Sequence, residues 1–356
     1  MNITAVAKRA RVSTATVSRV MNGTAHVSPD TAERVREAVA ALNFYPNVNA
    51  RALGSGRSGL YGLIISDITN PYFPELVKAF EDIAVEHGQD VLIANTDYDP
   101  KRMETCVIRM LQRKVDGVAI MTSEMEERLM RTFSQRQIPT VFMDTDAAVK
   151  GVTTVNVDYA AGITQGMNHL FSLGHKQIGF ISGPLTLSSA RARVQAFEKS
   201  MKDNGLEIRP NWMQEGDHRV EGGRQAMMRI LKAGFLPTAI VGSNDLTAIG
   251  AMGAIHEKGL RIPEHISVIG FDDIELSAYT LPALTTLHVP RRELAATAFR
   301  SLFRGRDEAV DKSTRKKEHI IEPRLLIRQS TGEVPGQQGR GDAANRHRGR
   351  SPAVRG

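Results

Sequence analysis

Val12-Ser-Thr-Ala-Thr-Val-Ser-Arg-Val-Met-Asn-Gly23 carries the punctuation of one short helix. Ser13 stands where a helix start accepts a capping hydroxyl, and Asn22-Gly23 is a stop dipeptide. Val17 and Val20 share a face at i, i+3, while Thr14, Ala15, Ser18 and Arg19 point elsewhere. Residues Ile3–Ala10 predict a preceding helix with Ile3, Val6 and Ala7 on one side, and Arg11-Val12 makes the turn between the two. A third helix starts with Ser28 as cap and Pro29 at its first position, and runs to about Leu42. Val35, Val39 and Leu42 recur at helical spacing and close a three-helix core. A short helix with an apolar back and a small polar front, entered by a tight turn, suits the DNA-reading element of a helix-turn-helix. The plain alternative is a small helical bundle with no DNA role.

The distribution of charge favours the DNA reading. Residues 1–57 hold eight Lys/Arg against three Asp/Glu, and residues 331–356 hold five against two. The chain total is +7, so the long middle is close to neutral. A basic amino-terminal module is what phosphate contact requires. Next comes Pro46-Asn-Val-Asn-Ala-Arg-Ala-Leu53, long enough for about two helical turns, too few to be stable alone in water. The glycine-rich run 54–59 after it reads as a flexible linker. Such a segment would order on DNA, with Leu53 as an apolar wedge in the minor groove. The alternative is that Leu53 packs on the domain that follows.

The middle alternates strand-like and helix-like runs. Strands are expected at 61–66, 91–95, 117–121, 140–143, 178–182, 239–242 and 267–271. Helices are expected at 73–86, 102–113, 161–171, 191–202, 222–231 and 248–257. This alternation predicts parallel sheets flanked by helices, and seven or more units predict two α/β lobes meeting near residues 158–162. In such sheets ligands bind beyond the carboxyl ends of strands. Polar residues stand at those points: Asp67, Asp144, Asn244-Asp245 and Asp272-Asp273.

Head, hinge and body together resemble the LacI/GalR family of bacterial transcriptional regulators over roughly residues 2–330, most strongly in 12–23 and 46–53. The resemblance implies an α/β chain with a small all-α helix-turn-helix head, a hinge helix and a two-lobed, parallel-sheet effector domain similar to periplasmic binding proteins. The domains are then 1–45 (head), 46–58 (hinge helix and linker), 59–330 (effector binding and dimerisation) and 331–356 (a disordered basic tail). The chain would cross between lobes three times, with 290–304 returning to the first lobe and a strand near 320–328 completing the second. Thr14, Ala15 and Arg19 would read the major groove, and Ser13, Thr16, Ser18 and Asn22 would position the backbone. Asn47, Ala50 and Leu53 would act in the minor groove, with Leu53 opening the central base step. Asn49 departs from the small apolar residue common where paired hinge helices touch.

For the effector, the resemblance matches Arg193 and Asp272 to residues that bind sugar hydroxyls or other polar groups. Asn244 matches another contact, and Tyr72 and Phe73 match first-lobe residues lining the pocket. Asp144 joins the set from its strand end, and His218 stands where several relatives place an aromatic ring that stacks on the ligand. Structural alternatives stand beside each. Asp144 and Asp245 could cap helices, Arg193 could be a surface charge or pair with Asp272 across the cleft without any ligand, and Tyr72 and Phe73 could be core aromatics.

Enzyme signals are missing. The run 54–59 lacks the phosphate-loop lysine and precedes a strand, and neither a metal spacing nor a Gly-x-Ser-x-Gly elbow occurs. Cys106, the single cysteine, reads as a buried helix residue, which suits a reducing cytoplasm. No secretory signal or membrane span is evident. The expected function is a DNA-binding repressor, not an enzyme and without cofactor or metal. It would bind a pseudo-palindromic operator as a homodimer, a higher oligomer being left open. Its partners are double-stranded operator DNA and a small-molecule effector, expected to be a carbohydrate, acting as inducer or corepressor. In the family, sugars and their phosphates are common inducers and purine corepressors are an exception in kind. A sugar-binding receptor module of the same fold is the second reading, and an α/β enzyme using the Asp144/Asp272 cleft is the third.

Overall fold

The computed structural model describes residues 2–23, 27–45, 57–122, 127–144, 152–304 and 318–334. The chain divides into two units, one ending at Gly59 and one starting at Leu60.

The first unit holds three helices, α1 (Ile3–Ala10), α2 (Thr14–Asn22) and α3 (Pro29–Ala41). The Asn2 side chain caps α1 by accepting from the Ala5 amide, and Arg11 turns the chain with φ 54°. Ser13 caps α2 by accepting from the Thr16 amide at 3.1 Å, and Gly23 ends it with φ 64°. That left-handed residue is where glycine avoids a Cβ clash. Ser28 precedes α3 as expected but makes no capping bond; its hydroxyl donates to Thr31 Oγ1 instead. Val6, Ala7, Ala10, Val17, Val35 and Ala38 form the buried core, with Val20, Val39 and Leu42 packed at its edge. The hinge segment 46–53, and with it Asn47, Ala50 and Leu53, lies outside the described residues.

The second unit contains two six-stranded sheets. In chain order its elements are β1 (Leu60–Ile65), α4 (Tyr72–Glu86), β2 (Asp90–Asn95), α5 (Pro100–Gln112), β3 (Gly117–Met121), α6 (Glu127–Gln135), β4 (Thr140–Met143), β5 (Thr153–Val157), α7 (Tyr159–Ser172) and β6 (Ile178–Ser182). They continue with α8 (Ser188–Asp203), β7 (Met213–Glu215), α9 (Val220–Leu231), β8 (Ala239–Gly242), α10 (Asp245–Glu257), β9 (Ser267–Asp272), β10 (Thr285–His288), α11 (Arg291–Arg304), β11 (Glu318–Ile321) and β12 (Arg324–Leu326). The first sheet is parallel throughout, in the order β11-β5-β4-β3-β1-β2. The second runs β12-β10-β9-β8-β6-β7 and is parallel except for β12. Tyr61, Leu63 and Ile65 of β1 bury into one core cluster and Ile64 into another, so the strand is covered on both faces. Helices on both sides of a parallel sheet require that pattern.

The chain crosses between the lobes three times, as the family resemblance implies. The first crossing leads through Asp158, whose carboxylate caps α7. After β10, helix α11 returns to the first lobe, where it packs on α4, β3, β4 and β5. The expected strand near 320–328 is corrected. Residues Glu318–Ile321 pair with β5 in the first sheet, and only Arg324–Leu326 join the second. Pro323 stands between them, and a residue without an N–H suits a break in the ladder. The expected tail is also corrected at its start, because residues 331–334 are built into the second lobe. His175 Nε2 lies 2.9 Å from the Gly332 carbonyl, and Val334 N donates to Leu173 O at 3.1 Å. Residues 335–356 lie outside the described residues.

Candidate functional site

Strand order places the cleft. In the first sheet β1 lies between β2 and β3, and in the second β6 lies between β7 and β8. Each is a switch point, where the helices after neighbouring strands leave on opposite faces and open a crevice at the strand ends. Ser66 and Thr122 at the ends of β1 and β3, and Asn244 beyond β8, line one cavity between the lobes. All seven expected effector residues line it: Tyr72, Phe73, Asp144, Arg193, His218, Asn244 and Asp272.

Arg193 projects from α8 and is buried. Its guanidinium lies 3.8 Å from the centroid of the Tyr159 ring and 4.7 Å from that of Phe271. Nη2 reaches only to 4.0 Å from Asp272 Oδ1, and Nε and Nη1 have no hydrogen-bond partner among the described residues. Both residues belong to the second lobe, so this pair does not span the cleft. Buried N–H groups without partners are uncommon and costly. Here they belong to a residue that lines a cavity and lies beside a carboxylate.

Asp272 ends β9 in a left-handed backbone conformation, φ 114°, followed by Asp273 at φ 57°. Such a conformation is rare for residues with a Cβ and persists only where surroundings impose it. Burial pushes the Asp272 carboxyl up to about 7, against the pull of Arg193 and Arg291. Asp273 is ionised in contrast. Its burial is outweighed by His288 and Arg328, which hold it down to about 2.

His218 is buried with Nε2 3.0 Å from Ser243 Oγ, and burial, with the nearby Arg193 charge, lowers its pKa to about 3. It is therefore a neutral imidazole at pH 7. Its ring lies against Gly183, where an added Cβ would collide with it. Asn244 caps α10 through Thr247 N and donates to the His218 carbonyl, so much of its amide is committed to holding the site together. Asp245 is not the cap that the sequence left open. It is fully buried, accepting from Ile274 N and Thr286 Oγ1, with its carboxyl raised by burial. Asp144 accepts from Tyr159 Oη at 2.5 Å. Tyr72 and Phe73 are both core aromatics and cavity walls, since α4 starts at the cavity and runs into the first-lobe core.

Sequence reading missed Tyr159, which forms the floor under Arg193. It follows Asp158 at the crossing, but nothing in its neighbours marks it as more than a helix start. Also missed were the bonds that join the lobes around the cavity. Arg219 donates to Asp67 at 3.0 Å and lies 3.5 Å from Asp97. Arg291 of α11 donates to the carbonyls of Asp272 and Asp273 and pairs with Glu75 at 2.6 Å. Cys106 is buried in α5, as expected.

In the head, Ser13, Thr14, Ala15 and Arg19 are exposed on α2, while Thr16 and Ser18 are half-buried. The Ser13 and Thr16 hydroxyls lie 2.9 Å apart within the cap. Among the described residues, no group of three or more His, Cys, Asp or Glu could hold a metal ion, and no helix is long and apolar enough to cross a membrane.

Two family models match the chain. One, of bacterial regulatory proteins of the lacI family, covers residues 2–47, and one, of periplasmic binding proteins and the sugar-binding domain of the LacI family, covers 58–323. Similar curated proteins include the HTH-type transcriptional repressors PurR of Mannheimia succiniciproducens and Haemophilus influenzae. Each is 36% identical over 335 residues, spanning 92% of this chain and 98% of the relative. Among solved structures, a Lac repressor dimer bound to operator and the anti-inducer ONPF matches with a TM-score of 0.83 and 32% identity, covering 93% of this chain and 99% of that one. A complex of the transcriptional regulator CelR with cellobiose matches with a TM-score of 0.70 and 25% identity, over 93% and 99% of the two chains.

Proposed function

The chain belongs to the LacI family of bacterial regulators, and from there we propose that it represses transcription as a homodimer on a pseudo-palindromic operator, under the control of a sugar or sugar derivative held between its lobes. The chain is a DNA-binding transcriptional repressor with an effector-binding body, and its relatives are repressors rather than enzymes. As a repressor it acts on chromosomal DNA, which in bacteria places it in the cytoplasm.

The observation that carries the effector reading is Arg193, a wall of the cavity buried over Tyr159, whose Nε and Nη1 are buried without a hydrogen-bond partner among the described residues. A guanidinium beside the Asp272 carboxyl offers donors and an acceptor to adjacent hydroxyls. Tyr72, Phe73 and Tyr159 supply apolar wall around them. Dimerisation draws support from the Lac repressor dimer and from apolar residues exposed after β9. There Tyr279 is 76% and Leu281 95% exposed. A two-fold dimer presents its two α2 helices to half-sites one helical turn or a multiple apart. Thr14, Ala15 and Arg19 would then reach base edges, and Arg19 is best equipped to pair with guanine.

The test is a thermal-shift screen of the full chain against neutral sugars, sugar phosphates, sugar acids and purines. A ligand at a hundred times its Kd stabilises the fold by about 2.7 kcal/mol. The expected result is a shift from a carbohydrate that disappears in Arg193→Ala. A shift from purines alone, or from none of these classes, would overturn the sugar reading.

A further inference from the structure

The turn that presents Asp272 to the cavity is gripped from the other lobe. Arg291 lies on α11, which packs on α4 and the strands of the first sheet. Its Nη1 donates to the Asp272 carbonyl and its Nη2 to the Asp273 carbonyl at 2.8 Å. The same Nη2 pairs with Glu75 Oε2 of α4 at 2.6 Å, and Glu75 Oε1 accepts from the Glu275 amide at 3.2 Å. The Arg291 side chain is 12% and that of Glu75 32% exposed, so the pair is buried on the arginine side and half-buried on the glutamate side. Its guanidinium also lies 5.8 Å from the centroid of the Tyr72 ring, a cavity wall in the first lobe.

We propose that Arg291 and Glu75 are positioning residues: a charged clamp from the first lobe that fixes the Asp272–Asp273 turn, and so the aim of the Asp272 carboxylate, whenever the lobes are closed. Three observations converge on this. Two consecutive non-glycine residues hold positive φ, a conformation their own preferences oppose. A rigid fork of parallel donors meets two successive carbonyls, a geometry that a planar guanidinium provides and a point-charge ammonium does not. Finally, Glu75 accepts from both Arg291 and the second lobe's Glu275, so one carboxylate joins both halves of the contact. The second-lobe side of the turn is tied separately, by His288 and Arg328 on Asp273. Opening the lobes would release the first-lobe grip and leave the turn held from one side only. The clamp thus makes the geometry of an effector contact depend on lobe closure. That consequence rests on the effector reading above, whereas the clamp itself does not.

Amide hydrogen exchange on the full-length protein tests it, without effector or DNA, so an empty ligand screen leaves the outcome interpretable. In Arg291→Met, exchange across residues 274–279 is expected to accelerate by about tenfold, a local opening. Arg291→Lys, which keeps the charge beside Glu75 but not the fork, should recover part of the protection. Glu75→Gln, which removes the charge and replaces one of the two acceptor oxygens by a donor amide, should accelerate the same residues and serves if Arg291→Met does not fold. The amides of Ala239–Gly242 in the second-lobe core should be unchanged in every variant. Unchanged exchange at 274–279 would overturn the proposal. So would parallel loosening of Ala239–Gly242, which would make the contact a general strut instead of a clamp on the turn.

Discussion

Replacing Arg193 by Met should cost the free protein far less than the loss of a buried arginine ordinarily does. Removing one member of a buried ion pair is destabilising by about 3–5 kcal/mol, because the partner charge is left behind. Here the pair is long, at 4.0 Å, and two of the guanidinium's donor atoms are buried without partners. Each such donor carries a penalty of about 1–3 kcal/mol, which the thioether removes. Against that stands the loss of the cation over the Tyr159 ring, about 2 kcal/mol when desolvated. Asp272, already raised to about 7 by burial, can answer the loss by keeping its proton at pH 6. These opposing effects place the net change at pH 6 within about 2 kcal/mol of zero. At pH 8 the deficit should grow. Without Arg193 the carboxyl is pushed higher still, so stability goes on falling with pH where the parent has levelled off. Trp212, the only tryptophan, is buried in the second lobe, so its fluorescence in urea follows this lobe directly. A loss above about 3 kcal/mol at pH 6 would refute the reasoning and make Arg193 a structural strut.

Asp272→Asn isolates the titration of that carboxyl. Its folded pKa of about 7 lies above the ordinary 3.8, so its contribution is present below pH 4 and is lost as pH rises through 7. The variant should therefore gain on the parent in urea midpoints from pH 4 to 8, and a pH-independent difference would contradict this. His218, lowered to about 3 from 6.5, works in the opposite sense: its contribution is present above pH 6.5 and is lost as pH falls toward 3. His218→Phe should accordingly gain on the parent as pH drops from 7 to 4, and a flat difference would show that the imidazole is not held neutral. Gly183→Ala drives a methyl into the His218 ring. It should destabilise the protein by about 1–3 kcal/mol, and an unchanged Tm would mean that the ring is free to move away. Arg19→Ala should weaken operator binding by about 1–3 kcal/mol in gel-shift titrations while leaving the urea transition untouched. Equal loss on random DNA would mean that Arg19 contacts phosphate only.

Much of the fold was legible because its signals are local. Ser13, Gly23 and Pro29 punctuate the head, and the apolar runs 117–121, 140–143, 178–182 and 239–242 coincide with β3, β4, β6 and β8. The strands that escaped notice lack such runs. Thr153–Val157 and Thr285–His288 are rich in threonine and polar residues, and Met213–Glu215 is a three-residue edge strand. Their positions are set by pairing with neighbours, which no short window contains. The split of 318–328 between two sheets is likewise a tertiary event, marked in sequence only by Pro323. At the site, residues at strand ends could be read because topology opens the crevice there. Tyr159 and Arg291 could not, since one is a helix start and the other a basic residue in a basic stretch, Pro290-Arg-Arg-Glu293. Their roles arise from what lies across the cleft.

Under the proposed function, ligand binding between the lobes changes operator affinity. The most direct measurement selects operators from a random DNA pool with the full-length protein. It then titrates the enriched sequence with and without the carbohydrate that shifts thermal stability, in the parent and in Arg193→Met. The expected result is a pseudo-palindromic sequence whose affinity changes by about tenfold or more with the carbohydrate, in either direction, and does not change in Arg193→Met. An affinity indifferent to a carbohydrate that demonstrably binds the parent would contradict it.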